Sequence, residues 1–479
     1  MVFVMPASFA VKEALADSVL VVGGGVTGLA AAVALKRRGI AVTLVEAADR
    51  PGGAIRTTRG DGFSADLGPN TVLVHKPEVL EFLESFGDDD GRLIPASPRS
   101  RNRYIVLDGR PVAAPLGPLS APTTPLFSLR GKLRILAEPF IAAKRDEAES
   151  VADFVTRRLG REALDHAVAP LVSGIHAGDP KRLSMAHAFP AIFALERDHG
   201  SLVRGGFAMM RGGDRSRPRF KRLLASFSGG LDRLPEAMAV ELGARFRGGR
   251  RLVALRREGE RWLAETATRD GIERHEAARV ILALPPHAFA ALELDPDLAA
   301  RLRPLDGIVY PPVATVALGF RREDVRHPLD GFGALAPRAE GLTILGALFS
   351  STLFPDRAPA DHVLFTCYLG GALSPETAHL SERDALERTT RDLDRLFGLC
   401  GAPVFTRHAV NERAIPQYEI GYERFLAAMG KAERAHAGLH LAGSFRGGIS
   451  VSAAILSGIE VAERIGGVKR HGQDTGVSA

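Results

Sequence analysis

The sequence predicts an α/β fold, and three observations in its first fifty residues predict it. Residues 18–22 form a short β-branched apolar run, Gly23, Gly25 and Gly28 follow with G-x-G-x-x-G spacing, and residues 29–38 are an alanine-rich helical pattern closed by Gly39. Strand, tight turn and helix are therefore expected in succession. A second β-branched run at 40–45 delivers an acidic residue, Glu46, eighteen positions after Gly28. The unit reads as a βαβ dinucleotide fold.

Each residue type in this unit has a physical task. Gly23 permits the turn, Gly25 lets the backbone approach a pyrophosphate at the helix N-terminus, and Gly28 allows close helix packing. Glu46 can accept hydrogen bonds from ribose hydroxyls. The spacing alone would be weak evidence; the strand before it, the helix after it and the acid beyond give it weight.

Composition bounds the rest. A chain of 479 residues is long enough for two or three domains and a large core. With 62 Lys+Arg against 56 Asp+Glu the net charge is +6, a small excess that names no partner. Cys367 and Cys400 have no metal-ligand or CxxC spacing, which excludes a disulfide framework and suits a reducing compartment. No metal site is expected. No apolar run reaches the length of a spanning helix. Residues 1–16 lack a basic start and are interrupted by Lys12 and Glu13, so they do not read as a signal peptide.

Beyond Glu46 comes DRPGG at 49–53, whose glycine pair Gly52-Gly53 keeps backbone N–H groups free close to a nucleotide, and then the turn cluster DLGPN at 66–70. Residues 101–119 read as a hairpin with turn residues Asp108-Gly109. From 126 to 204 the pattern is helical, with Ser150 and Asp153 placed as a capping box for 151–159. Residues 211–222, RGGDRSRPRFKR, are a basic, breaker-rich linker; one short charge run is usually a solvated loop, and no nucleic-acid partner is expected. Residues 251–258 and 261–268 pair as a second hairpin, 279–289 form a buried strand broken by Pro285-Pro286, and 381–397 form an amphipathic helix. Residues 439–465 return as strand, glycine-rich turn and helix.

DRPGG after Glu46, DLGPN, LVSGIHAGDPKRLSM at 171–185, HGSLVRG at 199–205, AIPQY at 414–418 and GFGALAPRAEGLTILGALFSSTLFPDRAP at 331–359 carry a resemblance that runs from Val19 to about Ile465. The chain resembles the FAD-dependent amine oxidase superfamily and, within it, the protoporphyrinogen oxidase family of the plant and bacterial oxygen-dependent type. That resemblance implies FAD as cofactor, bound in a Rossmann-like domain by Gly23, Gly25, Gly28, Glu46, Gly53, Val253, Gly443, Ser450, Val451 and Ser452, with Val253 acting through its backbone. It implies a tetrapyrrole substrate anchored by Arg103 at a propionate, approached by the backbone of Gly174, and sandwiched by Leu329, Leu345 and Phe365. Tyr422 stands where the family usually has histidine, and Ala453 where an aspartate often sits.

The implied division is a discontinuous FAD-binding domain of residues 15–98, 223–292 and 405–468, and a mixed-sheet substrate-binding domain of 99–125 and 293–404. A helical, membrane-associating insertion spans 126–222, and the termini 1–14 and 469–479 are expected to be flexible. The implied reaction is six-electron oxidation of protoporphyrinogen IX by hydride transfer to the flavin N5, with O2 as acceptor and hydrogen peroxide as product. No side-chain base is expected, since His166, His176, His187, His199 and His287 all have structural readings. The resemblance also brings a cytoplasmic location at the inner face of the cell membrane, a homodimer and hand-off of product to ferrochelatase. Three rivals share the architecture: a coproporphyrinogen III oxidase, an amine oxidase, and a non-enzymatic binding protein like the Rab-escort and GDP-dissociation proteins.

Overall fold

The computed structural model describes residues 18–87, 91–115, 123–144, 148–211 and 220–467. Both termini and most of the basic linker lie outside the described residues. The chain divides into two compact units: residues 1–53, 234–307 and 425–479 make the first, and 54–233 and 308–424 the second.

The first unit is built on a five-stranded parallel sheet in the order Phe246–Arg247, Val42–Val45, Val19–Val22, Arg279–Leu282 and Leu439–Leu441. Its central strands are short, almost uninterrupted apolar runs such as VLVV and RVIL, as expected where helices cover both faces of a parallel sheet. The crossover helix is Val26–Arg37, starting three residues earlier than its alanine run suggests because Gly25 is the N-cap and Gly28 sits inside the first turn. It packs against the last helix, Val451–Ile465, where a Cβ at Gly458 would overlap the Thr27 carbonyl. A second sheet holds the antiparallel strands Arg251–Glu258, Arg261–Thr268 and Gly271–Ala277, the first two in the hairpin that their alternation predicts.

The second unit centres on a seven-stranded mixed sheet. Its order is Phe405–Asn411, Val313–Arg321, His362–Gly370, Gly346–Phe349, Gly331–Leu335, Asn102–Leu107 and Arg110–Ala113. The last two strands form the expected hairpin, with Asp108 and Gly109 both at positive φ (51° and 73°), the backbone of a tight turn that matches strand twist. Helix Glu382–Phe397, capped by Ser381, whose hydroxyl accepts from the Asp384 amide at 3.1 Å, covers one face. Under it lies the core: Tyr104, Val316, Leu318, Phe349, Phe365, Cys367, Leu393 and Phe397 among others.

Among the described residues, five helices of eight residues or more fall between 129 and 211: Leu129–Leu136, Val151–Leu159, Ala169–His176, Pro190–His199 and Leu202–Arg211. The capping box forms, with the Asp153 amide donating to Ser150 Oγ at 3.0 Å. These helices are tied by a buried ionic network. Arg158 and Glu138 are fully buried and paired, and Arg157 bridges Glu149 at 2.7 Å and Glu196 at 2.8 Å. Burial opposes ionisation of Glu138, but the Ser201 hydroxyl, the Leu202 and Val203 amides and Arg158 outweigh it and hold the carboxyl below its ordinary range.

Candidate functional site

In the first unit the site is made mainly of backbone. Gly23 turns at φ 107°, and a Cβ there would come 2.7 Å from the Ala283 carbonyl oxygen. A Cβ at Gly28 would overlap the Gly23 carbonyl, so the first helical turn can close on the strand end only with glycine at that position. Gly25 is different: among the described residues other than its own chain neighbours, no atom lies within 4 Å of a Cβ built there. Its missing side chain keeps the mouth of helix Val26–Arg37 accessible, and that helix has no side-chain N-cap bond to compete for its first amides. Gly53, at φ 58°, comes over the same point, with its Cβ position 3.3 Å from Gly25 Cα, and the Gly52 amide donates to the Gly24 carbonyl at 2.8 Å.

Glu46 is held at the end of strand Val42–Val45. Its Oε2 accepts from the Gly24 amide at 2.5 Å and its Oε1 from the Ala48 amide at 2.8 Å. Each carboxylate oxygen keeps a further lone pair, so the group can accept ribose hydroxyls without giving up these bonds. Val253 is the extra residue of a β-bulge: Leu252 pairs with Thr266 and Ala254 with Glu265, leaving Val253 outside the ladder. A bulge frees backbone polar groups for another partner, which suits the backbone role expected of it.

The C-terminal turn runs from Gly443 through Gly448 to Ser450, which caps helix Val451–Ile465 by accepting from the Ala453 amide at 3.1 Å. The Gly443 amide donates to Ser457 Oγ at 3.1 Å, anchoring the turn to that helix. Ser452 is fully buried and Val451 nearly so. These residues therefore supply helix N-terminal backbone, and the Ser450 hydroxyl is engaged in the cap. Open glycine backbone at the start of helix Val26–Arg37, a second helix start behind a glycine-rich turn, a fixed carboxylate and a bulged strand together fit an FAD dinucleotide.

In the second unit the site is a sheet face made of side chains. Strand alternation divides His362–Gly370: Val363, Phe365, Cys367 and Leu369 enter the core, while Leu364, Thr366 and Tyr368 face the other way. On that other face Leu335, Gly346, Tyr368 and Thr315 stand in one transverse row, because Leu335 pairs with Gly346, Gly346 with Tyr368 and Tyr368 with Thr315. Leu348 belongs to the next row, paired with Thr366. Gly174 of helix Ala169–His176 lies against this face so closely that a Cβ would overlap Leu335 Cδ2. Phe63 and Phe405, stacked at 4.8 Å, cover the far end with Leu364 and Ala317, whereas Leu335, Leu348 and Tyr368 are only half-buried.

Arg103 projects from strand Asn102–Leu107 with its guanidinium 4.3 Å from the Phe332 ring centroid. Its Nη1 donates to the carbonyls of Ser100 (2.9 Å) and Arg101 (3.1 Å), which orients the fork. Burial lowers its pKa, yet a guanidinium stays charged at neutral pH, and its remaining N–H groups match a carboxylate.

The structure gives packing roles to two members of the expected sandwich of Leu329, Leu345 and Phe365. Phe365 is 0% exposed and stacks on Phe397 at 5.5 Å, and Leu329 is 3% exposed in the same core, at the strained φ of 54°. Both side chains point into the helix-covered face and have packing roles. Leu345 is half-buried and precedes strand Gly346–Phe349, its amide donating to the Tyr368 carbonyl at 2.7 Å. The residues with the right exposure and facing are Leu335, Leu348 and Tyr368. Their signal is the two-residue alternation within GFGAL, GALF and TCYLG, readable only once the register is known. Gly174 lies within the helix, whose C-cap is Ala177 at φ 49°, so its small size serves the approach to Leu335 and not a helix end.

Two of the histidines have identifiable local surroundings. His166 Nδ1 lies 2.8 Å from the Leu126 carbonyl, and burial pushes His176 down to about 4 while Gln417 Nε2 donates to its carbonyl at 2.8 Å. Tyr422, 1% exposed, packs on Tyr418 with ring centroids 4.4 Å apart.

Comparison with known proteins agrees with this construction. The flavin containing amine oxidoreductase family matches residues 26–466. Protoporphyrinogen oxidase 2 of Arabidopsis thaliana is 34% identical over 475 residues, covering 93% of each chain. Coproporphyrinogen III oxidase of Bacillus subtilis is 27% identical, covering 92% of this chain and 96% of its own. A solved structure provisionally assigned as a protoporphyrinogen oxidase, from Exiguobacterium sp. 255-15, shares the fold with TM-score 0.77 at 24% identity, over 95% of this chain and 99% of its own. With FAD as its cofactor and an α/β fold of the amine oxidase type, the chain is an oxidoreductase and belongs to the flavin containing amine oxidoreductase family.

Proposed function

We propose that the protein oxidises protoporphyrinogen IX to protoporphyrin IX. The observation that carries this reading is the sheet face of the second unit: Leu335, Leu348 and Tyr368 around a glycine floor at Gly346, with Gly174 against it and one oriented guanidinium at Arg103. A flat apolar face beside a carboxylate anchor suits a macrocycle that carries propionates. The relatives named for porphyrinogen oxidation support the substrate class.

Bound FAD would supply the redox chemistry, removing two electrons as a hydride from a meso carbon in each of three rounds and passing them to O2 as hydrogen peroxide. The chain's residues do the rest. Gly23, Gly25, Gly28, Gly53 and Glu46 hold the dinucleotide, Arg103 fixes the substrate by a propionate, and the apolar row excludes water from the macrocycle. Arg103 and Tyr368, the titratable groups identified on this face, do not serve as bases at neutral pH, since one is permanently cationic and burial raises the other's pKa. Loss of the pyrrole-side protons through imine–enamine tautomers removes the need for one.

Membrane contact has a physical basis in the same unit. Leu129, Leu133 and Leu136 are 74%, 58% and 71% exposed, a stripe at helical spacing, Phe140 in the turn that follows is 86% exposed, and Phe207, Met209 and Met210 are exposed on Leu202–Arg211. No helix among the described residues is long and apolar enough to cross a membrane. Such a stripe, flanked by Arg130 and Lys132, fits a helix lying in an anionic bilayer surface, and co-sedimentation with anionic vesicles should fall on Leu133→Glu and Phe140→Glu.

The deciding experiment mixes holoprotein anaerobically with protoporphyrinogen IX and, separately, with coproporphyrinogen III, following flavin bleaching and then porphyrin fluorescence after air is admitted. Bleaching by the first substrate is expected. Preference for the second would reassign the substrate, and no bleaching by either with FAD bound would overturn the porphyrinogen reading.

A further inference from the structure

A polar contact on this face joins Tyr368 to the turn at 66–70. Asn70 Nδ2 donates to the Tyr368 hydroxyl at 2.5 Å. Tyr368 occupies the row between Gly346 and Thr315, and burial, reinforced by the Asp66 carboxylate, raises its phenol, so the group is neutral across the physiological range.

Asn70 is presented by a rigid turn. Asp66, at the start of DLGPN, is buried and accepts from Thr57 Oγ1 at 2.6 Å and the Leu231 amide at 3.0 Å. The Leu67 amide donates to the Arg56 carbonyl at 2.8 Å, a Cβ at Gly68 would overlap the Ala54 carbonyl, and Pro69 restricts the residue before Asn70. The amide therefore has a fixed backbone at one end and a fixed hydrogen bond at the other. With Nδ2 turned to the phenol, Oδ1 is directed away from it as a neutral acceptor.

A porphyrinogen carries an N–H donor on every pyrrole ring, whereas its fully conjugated product has lost that donor on half of them. We propose that Asn70 is a specificity-determining residue that accepts a hydrogen bond from a pyrrole N–H of the reduced macrocycle, and that Tyr368 is a positioning residue that holds the amide for it. The pair favours the reduced substrate over the oxidised product and is electrically neutral, so it adds no charge to the apolar face. This inference rests on the porphyrinogen reading and names the recognition within it.

The test is a double-mutant cycle on the holoenzyme with Tyr368→Phe, Asn70→Ala and the double variant, reading kcat and KM for porphyrinogen and the inhibition constant of the product porphyrin. Each single variant should raise KM by about tenfold, the loss of one positioned hydrogen bond. The double variant should be no worse than the poorer single, because the two side chains act as one unit. The product inhibition constant, FAD content and Tm should stay near wild type, which a merely structural role would not leave unchanged. Wild-type kinetics in Tyr368→Phe, effects that multiply in the double variant, or equal weakening of substrate and product would each overturn the proposal while leaving the enzyme a porphyrinogen oxidase. If Tyr368→Phe fails to fold, Asn70→Ala reads the same substrate-to-product ratio alone. A wild-type holoprotein that no porphyrinogen bleaches would remove the porphyrinogen reading itself, and this inference with it.

Discussion

The two units build their sites from opposite materials. The candidate site of the first unit is backbone: glycine is required by close approach at Gly23 and Gly28, Gly25 and Gly53 lie against each other, and Val253 stands outside its ladder. The second uses side chains on one face of a mixed sheet, where Leu335, Leu348 and Tyr368 are selected by which way they point. A backbone site tolerates little beyond glycine at its key positions, so it punctuates the sequence. A side-chain site on a sheet is specified by register, and register is a relation between distant segments.

That contrast can be broken by substitution, and the largest effect is expected where the two faces of the second sheet are confused. Phe365→Ala should cost about 3–5 kcal/mol of stability, since it empties a stacked core position. Leu348→Ala should leave the melting temperature nearly unchanged and raise KM. Thermal melts and steady-state kinetics on the pair check this, and the reverse pattern would return Phe365 to the substrate. In the first unit Gly28→Val should weaken FAD retention tenfold to a hundredfold, an overpacking cost of about 1–3 kcal/mol at the Gly23 carbonyl, read as flavin absorbance per chain.

Two finer substitutions separate the units by readout. Glu46→Gln keeps shape but removes the charge that strengthens its bonds from the Gly24 and Ala48 amides, and should raise the FAD dissociation constant about tenfold with substrate KM unchanged. Arg103→Lys should do the opposite, raising KM by roughly fivefold through loss of the planar fork while FAD titration stays as in wild type.

A further effect, confined to acid pH, concerns stability. Burial holds His176 at about 4 in the folded protein, against an unfolded value of about 6.5. Its folded pKa is depressed, so the stability it contributes is fully present above pH 6.5 and is lost as pH falls from there towards 4. In His176→Asn the melting temperature should fall less steeply over that window, as scanning fluorimetry across pH would show.

The same contrast decides what is legible in the sequence. The strand, turn and helix at 19–37 are local, and Gly23 to Glu46 form one continuous signal, so that unit can be read from the order of its residues alone. So can the hairpin turn at Asp108-Gly109 and the cap at Ser150, each of which depends on residues within a few positions. The proposed substrate wall cannot. Phe365 and Tyr368 are three residues apart, an odd displacement, which in a strand reverses the face. Leu329, placed six residues before Leu335, lies outside strand Gly331–Leu335 altogether. Sequence resemblance points to the segments that supply this face, and pairing with neighbouring strands then chooses the residues within them.

The first unit is assembled from three stretches of chain, and the last begins at residue 425. A ribosome releases residues 54–424, and with them every part of the second unit, before strand Leu439–Leu441 and helix Val451–Ile465 exist to complete the first. The nascent chain thus carries the Gly23–Glu46 segment for most of its synthesis without the edge strand and helix that finish its sheet. The parallel sheet of the first unit and the pairing of its two long helices are accordingly complete only after translation has passed Ile465.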